Sequence, residues 1–299
     1  MLTRLKELLT VKAIAPLAGR LPQSVKRYLV GGALRREAEE VPLAAGRGLL
    51  ARLYLKGEGL EIGASHYPVP VPRGVRVRYV DFAEVGELRR RHPELDIPPP
   101  DIVDDGAVLA SVADGSQDFL IACHVIEHLA DPVGAFKNWL RVLKPGGVLL
   151  LAIPDKRFTF DFHRPVTPWE HLKRDHEEGW TDGEHFGQFE REYRETFGIE
   201  DEDAVASLIA RLRENPGTAH LHVWSQTEML EFVAALRRYG LDFEVEAFSA
   251  YGNEGAFVLR KGERRDEALT GSSLREAESQ VREILDSLGS RCAVRLRDR

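Results

Sequence analysis

The stretch from Asp118 to Pro154 constrains the fold more than any other part of the sequence. It contains an apolar run from Phe119 to Cys123, a segment with apolar residues at helical spacing, and a second apolar run from Val148 to Ile153. Short apolar runs without alternation are typical of strands that are buried on both faces of a sheet. Strand, helix and strand in this order predict a right-handed βαβ unit with parallel strands.

The helix of this unit has a start signal and a stop signal. Asp131 can cap the first turn, and Pro132 suits the first helical position, where a missing N–H costs nothing. The run from Lys144 to Gly147 ends the helix, because proline cannot continue it and glycine readily adopts the left-handed conformation. We therefore expect one helix between these two signals.

The composition is that of an ordinary globular protein. The chain has 299 residues, of which 43% are hydrophobic, and a formal net charge of −7, so a general nucleic-acid-binding surface is not expected. No apolar run reaches the ~18 residues of a membrane span, and Lys12 interrupts the one candidate secretory signal. The two cysteines, Cys123 and Cys292, are compatible with a reducing compartment. These features predict a cytoplasmic protein.

Carboxylates and glycines follow the first three predicted strands, and ligands of open α/β sheets bind at such carboxyl ends. Asp81 ends the second strand, where a carboxylate can accept both hydroxyl protons of a ribose; a helix-capping role is the alternative. The residues at the three strand ends are Glu61, Gly63, Ala64, Ser65, Asp81, Asp104, Asp105 and Gly106.

These motifs together resemble the class I S-adenosylmethionine (SAM) dependent methyltransferases, of the type 11 kind. The residues that carry the resemblance are Glu61-Ile62-Gly63, Asp81, Asp105-Gly106, Glu127-His128 and the Lys144–Gly147 turn. The resemblance implies an α/β fold with a Rossmann-like seven-stranded sheet, mostly parallel with an antiparallel last strand. It also implies SAM as the cofactor and methyl transfer as the activity.

The resemblance assigns a role to each strand end. Gly63 would let the backbone approach the methionine part of the cofactor, and Glu61 would orient the loop and face the ammonium group. Asp81 would bind the ribose. Asp105, aligned by its spacing to Leu109, would accept from the adenine amino group, with Asp104 as the alternative. The implied cofactor-binding residues are Glu61, Gly63, Ala64, Ser65, Asp81, Asp104, Asp105, Gly106 and His124.

The segment after the first strand departs from the family pattern. Prolines alternate from Pro68 to Pro72, and such a sequence cannot form a helix interior. We therefore expect an extended loop where the family has its first crossover helix. Without a helix N-terminus, the donors to the methionine carboxylate stay undecided, with Ser65 and His66 as candidates.

A hydroxyl acceptor would need a base to take its proton. The candidates, which the sequence does not rank, are His124, Glu127, His128, His185 and His222. Glu127 and His128 alternatively brace the loop that follows them. His222, predicted at the mouth of the pocket, alternatively packs in the interior. No H-E-x-x-H spacing is present, so no metal is expected. Arg157 and Arg164 are either solvated or contact an anionic acceptor.

The sequence predicts five segments. They are an N-terminal helical cap (1–55), a SAM-binding core (56–154), a helical insert that forms an acceptor lid (155–222), the last core helix and hairpin (223–262), and a C-terminal helix and tail (263–299). The basic amphipathic helix at the N-terminus either packs as a cap or contacts a membrane surface. The C-terminal helix either docks on its own domain or pairs two chains into a homodimer.

The predicted function is methyl transfer from SAM to a small-molecule acceptor, with the oxygen or nitrogen of a sugar or glycan precursor as the candidate acceptor group. The alternative is a SAM-binding subunit or regulator without transfer activity. An NAD oxidoreductase is a weaker reading, because no G-x-G-x-x-G follows the first strand.

Overall fold

A computed structural model describes residues 43–93, 95–179, 190, 194, 202–214, 220–251 and 253–262. All of them belong to the first of two units of the chain, Met1–Gly262. The predicted N-terminal basic helix, His185 and the C-terminal helix lie outside the described residues. No helix among the described residues is both long and apolar enough to cross a membrane.

One seven-stranded sheet forms the centre of this unit. Its strands are β1 (Glu58–Ile62), β2 (Arg76–Asp81), β3 (Ile102–Val103), β4 (Gln117–Cys123), β5 (Leu143–Pro154), β6 (Phe243–Tyr251) and β7 (Glu254–Lys261). The order is β3-β2-β1-β4-β5-β7-β6, with β1 to β5 parallel and β7 antiparallel to both of its neighbours. The predicted fold class is confirmed. Because the strand order reverses at β1 and β4, their carboxyl ends form the switch point where α/β sheets bind ligands.

The helices of the described residues are α1 (Leu43–Tyr54), α2 (Val85–Arg91), α3 (Pro132–Val142), α4 (Trp169–Glu178), α5 (Glu202–Glu214) and α6 (Gln226–Arg238). Helix α3 has the predicted cap, since Asp131 Oδ1 accepts from the N–H of Gly134 at 2.7 Å. It ends at Val142, where Leu143 turns to an extended conformation and begins β5. Gly146 in this turn has a φ of 76°, which favours glycine.

The two faces of β4 are buried under different layers, because successive side chains of a strand point to opposite sides. Leu120 and Ala122 belong to the main core with Phe136 and Trp139 of α3. Phe119 and Ile121 face a second cluster that contains Ala51 of α1, Leu55 just after this helix, and Val69 of the proline loop. Helix α1 and the loop therefore cover the opposite face of the sheet.

The connection between β1 and β2, residues 63–75, contains no helix. The predicted extended loop in place of the first crossover helix is confirmed. Its Val69 is 4% exposed, so the loop is packed against the sheet and is part of the folded core.

The first helix of the predicted insert is part of the core. Leu172 of α4 is fully buried in the main cluster, and the helix packs on α3 and α6. His176 Nδ1 lies 2.8 Å from Asp131 Oδ2, which ties α4 to the start of α3. The prediction of an acceptor lid therefore concerns the remainder of the segment 155–222.

Candidate functional site

The carboxyl ends of the first three strands meet at one edge of the sheet. The N–H of Gly63 donates to Val80 O at 2.9 Å, and the N–H of Asp104 donates to Asp81 O at 3.0 Å. A Cβ at Gly106 would lie 2.5 Å from Ile62 Cγ2, so the loop after β3 approaches the end of β1 as closely as only glycine allows. These contacts bring the three predicted cofactor-binding segments together.

Asp81 has one carboxylate oxygen engaged and one open. Oδ1 accepts from the N–H of Phe82 at 2.8 Å, and Oδ2 has no hydrogen-bond partner among the described residues. Burial raises the pKa of the Asp81 carboxyl, although the Phe82 N–H and His92 oppose this. Phe82 is 58% exposed. The end of β2 thus offers a hydrogen-bond acceptor beside an exposed aromatic ring.

The two aspartates after β3 do different work. Asp104 Oδ1 accepts from the N–H of Asp105 at 2.8 Å, and its Oδ2 accepts from the N–H and the hydroxyl of Ser111 at 2.7 and 2.6 Å. Burial opposes ionisation of Asp104, but these hydrogen bonds outweigh it and lower the pKa. Asp105 is exposed and uses only Oδ1, which accepts from the N–H of Ala107 at 2.8 Å. Asp104 therefore shapes the loop, and Asp105 keeps an oxygen available to a ligand.

Helix α3 holds this loop in place. Trp139 Nε1 donates to Gly106 O at 2.8 Å, and Asn138 Nδ2 donates to Ala107 O at 3.0 Å. The guanidinium of Arg141 donates to the carbonyl oxygens of Val108 and Leu109. A loop with so many backbone groups bonded to one helix is preorganised for a ligand.

A row of N–H groups follows β1. Gly63 and Ser65 have φ values of 59° and 49°, and the N–H groups of Ala64, Ser65 and His66 have no hydrogen-bond partner within the described residues. Successive N–H groups in such a turn form a concave site that favours anions. The hydroxyl of Ser65 is occupied by His66 Nδ1 at 3.1 Å.

Glu61 lies beneath this turn and is 1% exposed. Its two carboxylate oxygens accept from the N–H of Val69 at 3.0 and 3.2 Å, which fixes the proline loop against β1. Burial raises the pKa of Glu61 to about 7, although the Val69 N–H and the charge of Arg47 oppose the shift. Glu61 therefore changes its charge near neutral pH.

A buried ion pair supports the end of β4. Arg47 Nε of α1 donates to Glu254 Oε1 of β7 at 2.9 Å, and His124 Nε2 lies 2.8 Å from Glu254 Oε2. The pKa of Glu254 is lowered, because the contacts with His124 and Arg47 outweigh the effect of burial. His124 has a φ of 55°, a strained conformation that tertiary contacts must hold and that is common at functional sites.

Glu127 and His128 lie on a 3₁₀ turn, Ile126–His128, just after β4. Glu127 is fully buried, and neither carboxylate oxygen has a hydrogen-bond partner among the described residues. Its Oε1 lies 3.7 Å from His128 Nε2 and 3.9 Å from His220 Nε2. His220 Nδ1 lies 2.6 Å from Asp161 Oδ2. Burial alone would lower the pKa of His220, but this hydrogen bond and the charges of the nearby carboxylates outweigh burial and raise the pKa.

Comparison with known proteins identifies the fold. The model of a methyltransferase domain matches residues 63–151. This segment is a class I methyltransferase domain. The resemblance seen in the sequence is thereby confirmed, and the matched range contains the turn after β1, Asp81, Asp105, His124 and Glu127.

The chain also has a curated relative. A protein of Mycolicibacterium smegmatis, named a probable S-adenosylmethionine-dependent methyltransferase, is 33% identical over 127 residues. The alignment covers 42% of this chain and 45% of the relative. The match therefore spans less than half of either protein.

Solved structures resemble the domain weakly. A SAM-dependent methyltransferase of Aquifex aeolicus has 12% identity and a TM-score of 0.38, covering 76% of this chain and 97% of that one. A candidate methyltransferase of Haloferax volcanii, solved with a methyltransferase activator, has 14% identity and a TM-score of 0.43, covering 77% and 94%.

Two predicted positions near the methyltransferase domain need correction. His222 does not lie at a pocket mouth: it is 0% exposed, its ring is 5.8 Å from that of His171, and its N–H contacts Glu127 O at 3.1 Å. Arg164 is neither solvated nor directed at an acceptor, because it is 3% exposed and its Nη1 donates to Asp161 Oδ1 at 2.8 Å. Arg157 is exposed and pairs with Asp155.

Sequence reasoning missed the residues that support the methyltransferase domain from a distance. Arg47, Glu254 and Asp161 are all buried charged groups. Glu254 contacts His124 and Arg47, and Asp161 contacts His220, so the partners are remote in the sequence. The one signal in the sequence that could have indicated a buried ion pair was a charged residue beside an apolar segment, such as Glu254 at the start of an apolar strand. The structure also gathers two groups with metal-ligating atoms, Glu127-His128-His220 and His171-Asp175-His222.

Proposed function

We propose that this protein binds SAM at the carboxyl ends of β1 to β4 and transfers the methyl group to a small-molecule acceptor. The observation that carries the proposal is the convergence of Gly63, Asp81 and Asp105 at one edge of a methyltransferase domain. The family assigns these three positions to the methionine, ribose and adenine parts of one molecule.

The adenosine part of the cofactor fits the ends of β2 and β3. Asp81 Oδ2 is available for the ribose hydroxyls, and the second oxygen of Asp105 is available for the adenine amino group. Three exposed apolar side chains beside them suit the faces of the adenine ring; they are Phe82, Val103 and Val108. Exposed apolar groups next to open acceptors are typical of a site that binds an aromatic base.

The methionine part fits the turn after β1. The N–H groups of Ala64, Ser65 and His66 are open to its carboxylate, which supplies the donors that a helix N-terminus gives elsewhere in the family. Glu61 in its ionised form would attract the ammonium group. The open backbone of this turn thus compensates for the missing crossover helix.

When bound, SAM supplies a methyl group on an electrophilic sulfonium, so the protein mainly has to align the acceptor and exclude water. For a hydroxyl acceptor we assign the base to His124, whose Nε2 is close to the carboxylate of Glu254. That carboxylate would stabilise the imidazolium formed when His124 takes the proton. An amine acceptor with a free lone pair would need no base.

For the acceptor we propose a hydroxyl or amino group of a small molecule, with sugars and glycan precursors as the first class to examine. Phe160 supports this choice, because its ring is 49% exposed and lies 4.7 Å from the ring of His220, which is near Glu127. An exposed aromatic face suits the apolar face of a sugar ring.

Isothermal titration of the full-length protein with SAM, S-adenosylhomocysteine and NAD tests the proposal. We expect one molecule of SAM or S-adenosylhomocysteine per chain and no binding of NAD. Saturable binding of NAD, or no binding of SAM, would overturn it.

A second candidate, a SAM-binding subunit without transfer activity, is favoured by the missing helix after β1. Incubation with methyl-labelled SAM and a metabolite extract separates the two. Label in the small-molecule fraction, absent with Asp81→Ala, indicates an enzyme. SAM binding without label transfer to any acceptor pool indicates the binding subunit.

A further inference from the structure

Glu127 has a buried side-chain carboxylate that makes no hydrogen bond to the described residues. It is 0% exposed, and neither Oε1 nor Oε2 has a hydrogen-bond partner among the described residues. An ionised carboxylate is unfavourable in an apolar interior unless it is paired or coordinates a metal. The two groups closest to it are imidazoles, with His128 Nε2 at 3.7 Å and His220 Nε2 at 3.9 Å from Oε1.

The ring of His220 is oriented by its other nitrogen. Nδ1 lies 2.6 Å from Asp161 Oδ2, and Arg164 Nη1 donates to Asp161 Oδ1 at 2.8 Å, which keeps that aspartate ionised and fixed. Nδ1 is therefore engaged with Asp161, and Nε2 is the ring nitrogen on the side of Glu127, 3.9 Å from Oε1. A histidine that donates one N–H to a carboxylate and presents its other nitrogen is the usual arrangement of a metal ligand.

The three ligand atoms are close to coordination geometry. Glu127, His128 and His220 each offer one ligand atom, and these three atoms lie within 4.8 Å of one another. Ligands of a tetrahedral ion at about 2.1 Å are about 3.4 Å apart, so the two distances from Glu127 Oε1 need to shorten by a few tenths of an ångström. The imidazole nitrogens, which lie within 4.8 Å of each other, would also have to move together by rotation of the rings. The backbone holds the segments together, because Glu127 O accepts from the N–H of Leu221 at 2.7 Å.

We propose that Glu127, His128 and His220 bind one divalent transition-metal ion. Two imidazole nitrogens and one carboxylate oxygen suit Zn²⁺ and its first-row neighbours better than Mg²⁺ or Ca²⁺, which prefer oxygen ligands. Three protein ligands leave a coordination position for water or for an oxygen of the acceptor. The acceptor part of this statement rests on the proposed function, whereas metal binding itself does not.

The site is reachable, and it adjoins the proposed methyl-transfer position. The side chain of His128 is 22% exposed, and the 3₁₀ turn starts two residues after His124 at the end of β4. An ion here would therefore lie on the acceptor side of the cofactor site. The expectation from sequence that no metal binds took into account only ligands that are neighbours in the chain.

Metal titration of the full-length protein without SAM tests the proposal. The protein is treated with a chelator, dialysed and titrated with ZnCl₂ and, separately, MnCl₂ by calorimetry, with elemental analysis of the metal content. We expect one Zn²⁺ per chain, and a loss of affinity of at least roughly tenfold in Glu127→Gln and His220→Asn, since even residues behind the ligands contribute about that much.

Three further variants locate the site. Asp161→Asn keeps all ligands but removes the orienting carboxylate, so its affinity falls by about tenfold. His163→Asn is the matched control, because this histidine of the same segment contacts Phe162 and lies in neither metal-ligating group; it binds as the wild type does. Loss of binding in His171→Asn alone would assign the ion to the other cluster and overturn the proposal.

A thermal readout keeps the test valid if a variant folds poorly. Zn²⁺ raises the melting temperature of the wild type and of His163→Asn equally, and it raises that of the isosteric Glu127→Gln by less at the same Zn²⁺ concentration. Absence of stoichiometric Zn²⁺ or Mn²⁺ binding by the folded wild type would overturn the proposal. This result is independent of the SAM titration, so the two proposals fail separately.

Discussion

The two sides of the site are built in opposite ways. On the proposed cofactor side, Asp81 is the last residue of β2 and Asp105 lies two residues after β3; both are partly or fully exposed and keep an oxygen open. On the acceptor side, Asp161 and Glu127 are buried, and their partners come from remote parts of the chain, as with His220, which lies 59 residues from Asp161. One side is prepared for a ligand by short loops, and the other is held by tertiary packing.

This difference has an energetic consequence. An exposed carboxylate with an open oxygen contributes little to folding, so its loss should weaken binding and leave stability unchanged. The loss of one partner of a buried ion pair should instead lower stability, because it leaves an uncompensated charge in the interior. Substitutions on the two sides should therefore separate stability from SAM affinity.

The largest expected effect is on the acceptor side. Arg164→Met removes the guanidinium that is paired with Asp161 in the interior. We expect the free energy of unfolding, measured with urea, to fall by about 3 kcal/mol, the lower end for a broken buried pair, because His220 remains as a partner. SAM affinity of the folded protein should stay within twofold. As a control, Lys173→Met removes an exposed pair with Glu177 and should leave the urea midpoint unchanged.

The next effect is on the cofactor side. Asp81→Ala should weaken SAM binding by about 1–3 kcal/mol, because the ribose hydroxyls lose their acceptor on binding, while the melting temperature stays the same. Glu84→Ala is the matched control. Glu84 is exposed and occupies the N-cap position of α2, but its side chain makes no capping hydrogen bond. Unchanged SAM affinity in Asp81→Ala would reject the ribose assignment.

The fold and the positions of the strand-end residues were predictable from sequence for the same reason. The strands could be located because apolar runs and strand-end residues repeat at fixed spacing, and this placed Asp81 correctly at the end of β2. The loop in place of the first crossover helix followed from the prolines at 68, 70 and 72. Local rules of backbone conformation were sufficient in both cases.

The acceptor side was not predictable, because its contacts depend on how distant segments pack. Nothing near Glu127 in the sequence indicates that His220 or Asp161 lies close to it. His222 is only two residues after His220 in the sequence, yet its ring lies beside His171 and not beside Glu127. The roles of Asp104 and Asp105 were also ambiguous, since which aspartate bonds to Ser111 depends on the course of the loop.

A smaller effect separates these two aspartates. In Asp105→Asn the one remaining side-chain oxygen keeps its hydrogen bond from the N–H of Ala107. The other position becomes an NH₂ group, which is a donor and cannot accept from the adenine amino group. SAM affinity should fall by about 1 kcal/mol, roughly fivefold, without loss of stability. Asp104→Asn should instead lower the melting temperature, because it loses bonds to Ser111. The reverse pattern would assign adenine to Asp104.

The smallest effect is a pH dependence through Glu61. Burial raises its pKa to about 7, so the carboxylate that attracts the cofactor ammonium forms as pH rises. SAM affinity should increase by about threefold from pH 6.5 to 7.5, following the ionised fraction. The stability contribution of Glu61 has the opposite sign: it falls as pH rises from about 4.3, the unfolded value, to about 7. The Glu61→Gln variant keeps a hydrogen bond from the N–H of Val69 but cannot ionise. The contribution of this residue to the pH dependence of SAM affinity, and to that of stability, should therefore be lost.

A crystal structure of the full-length protein with S-adenosylhomocysteine tests the central claim most directly. We predict one nucleoside at the ends of β1 to β3, with its ribose hydroxyls about 2.5–3.0 Å from Asp81 and its adenine amino group within hydrogen-bond distance of Asp105. A nucleoside bound elsewhere, or a ribose that contacts neither oxygen of Asp81, would contradict the account.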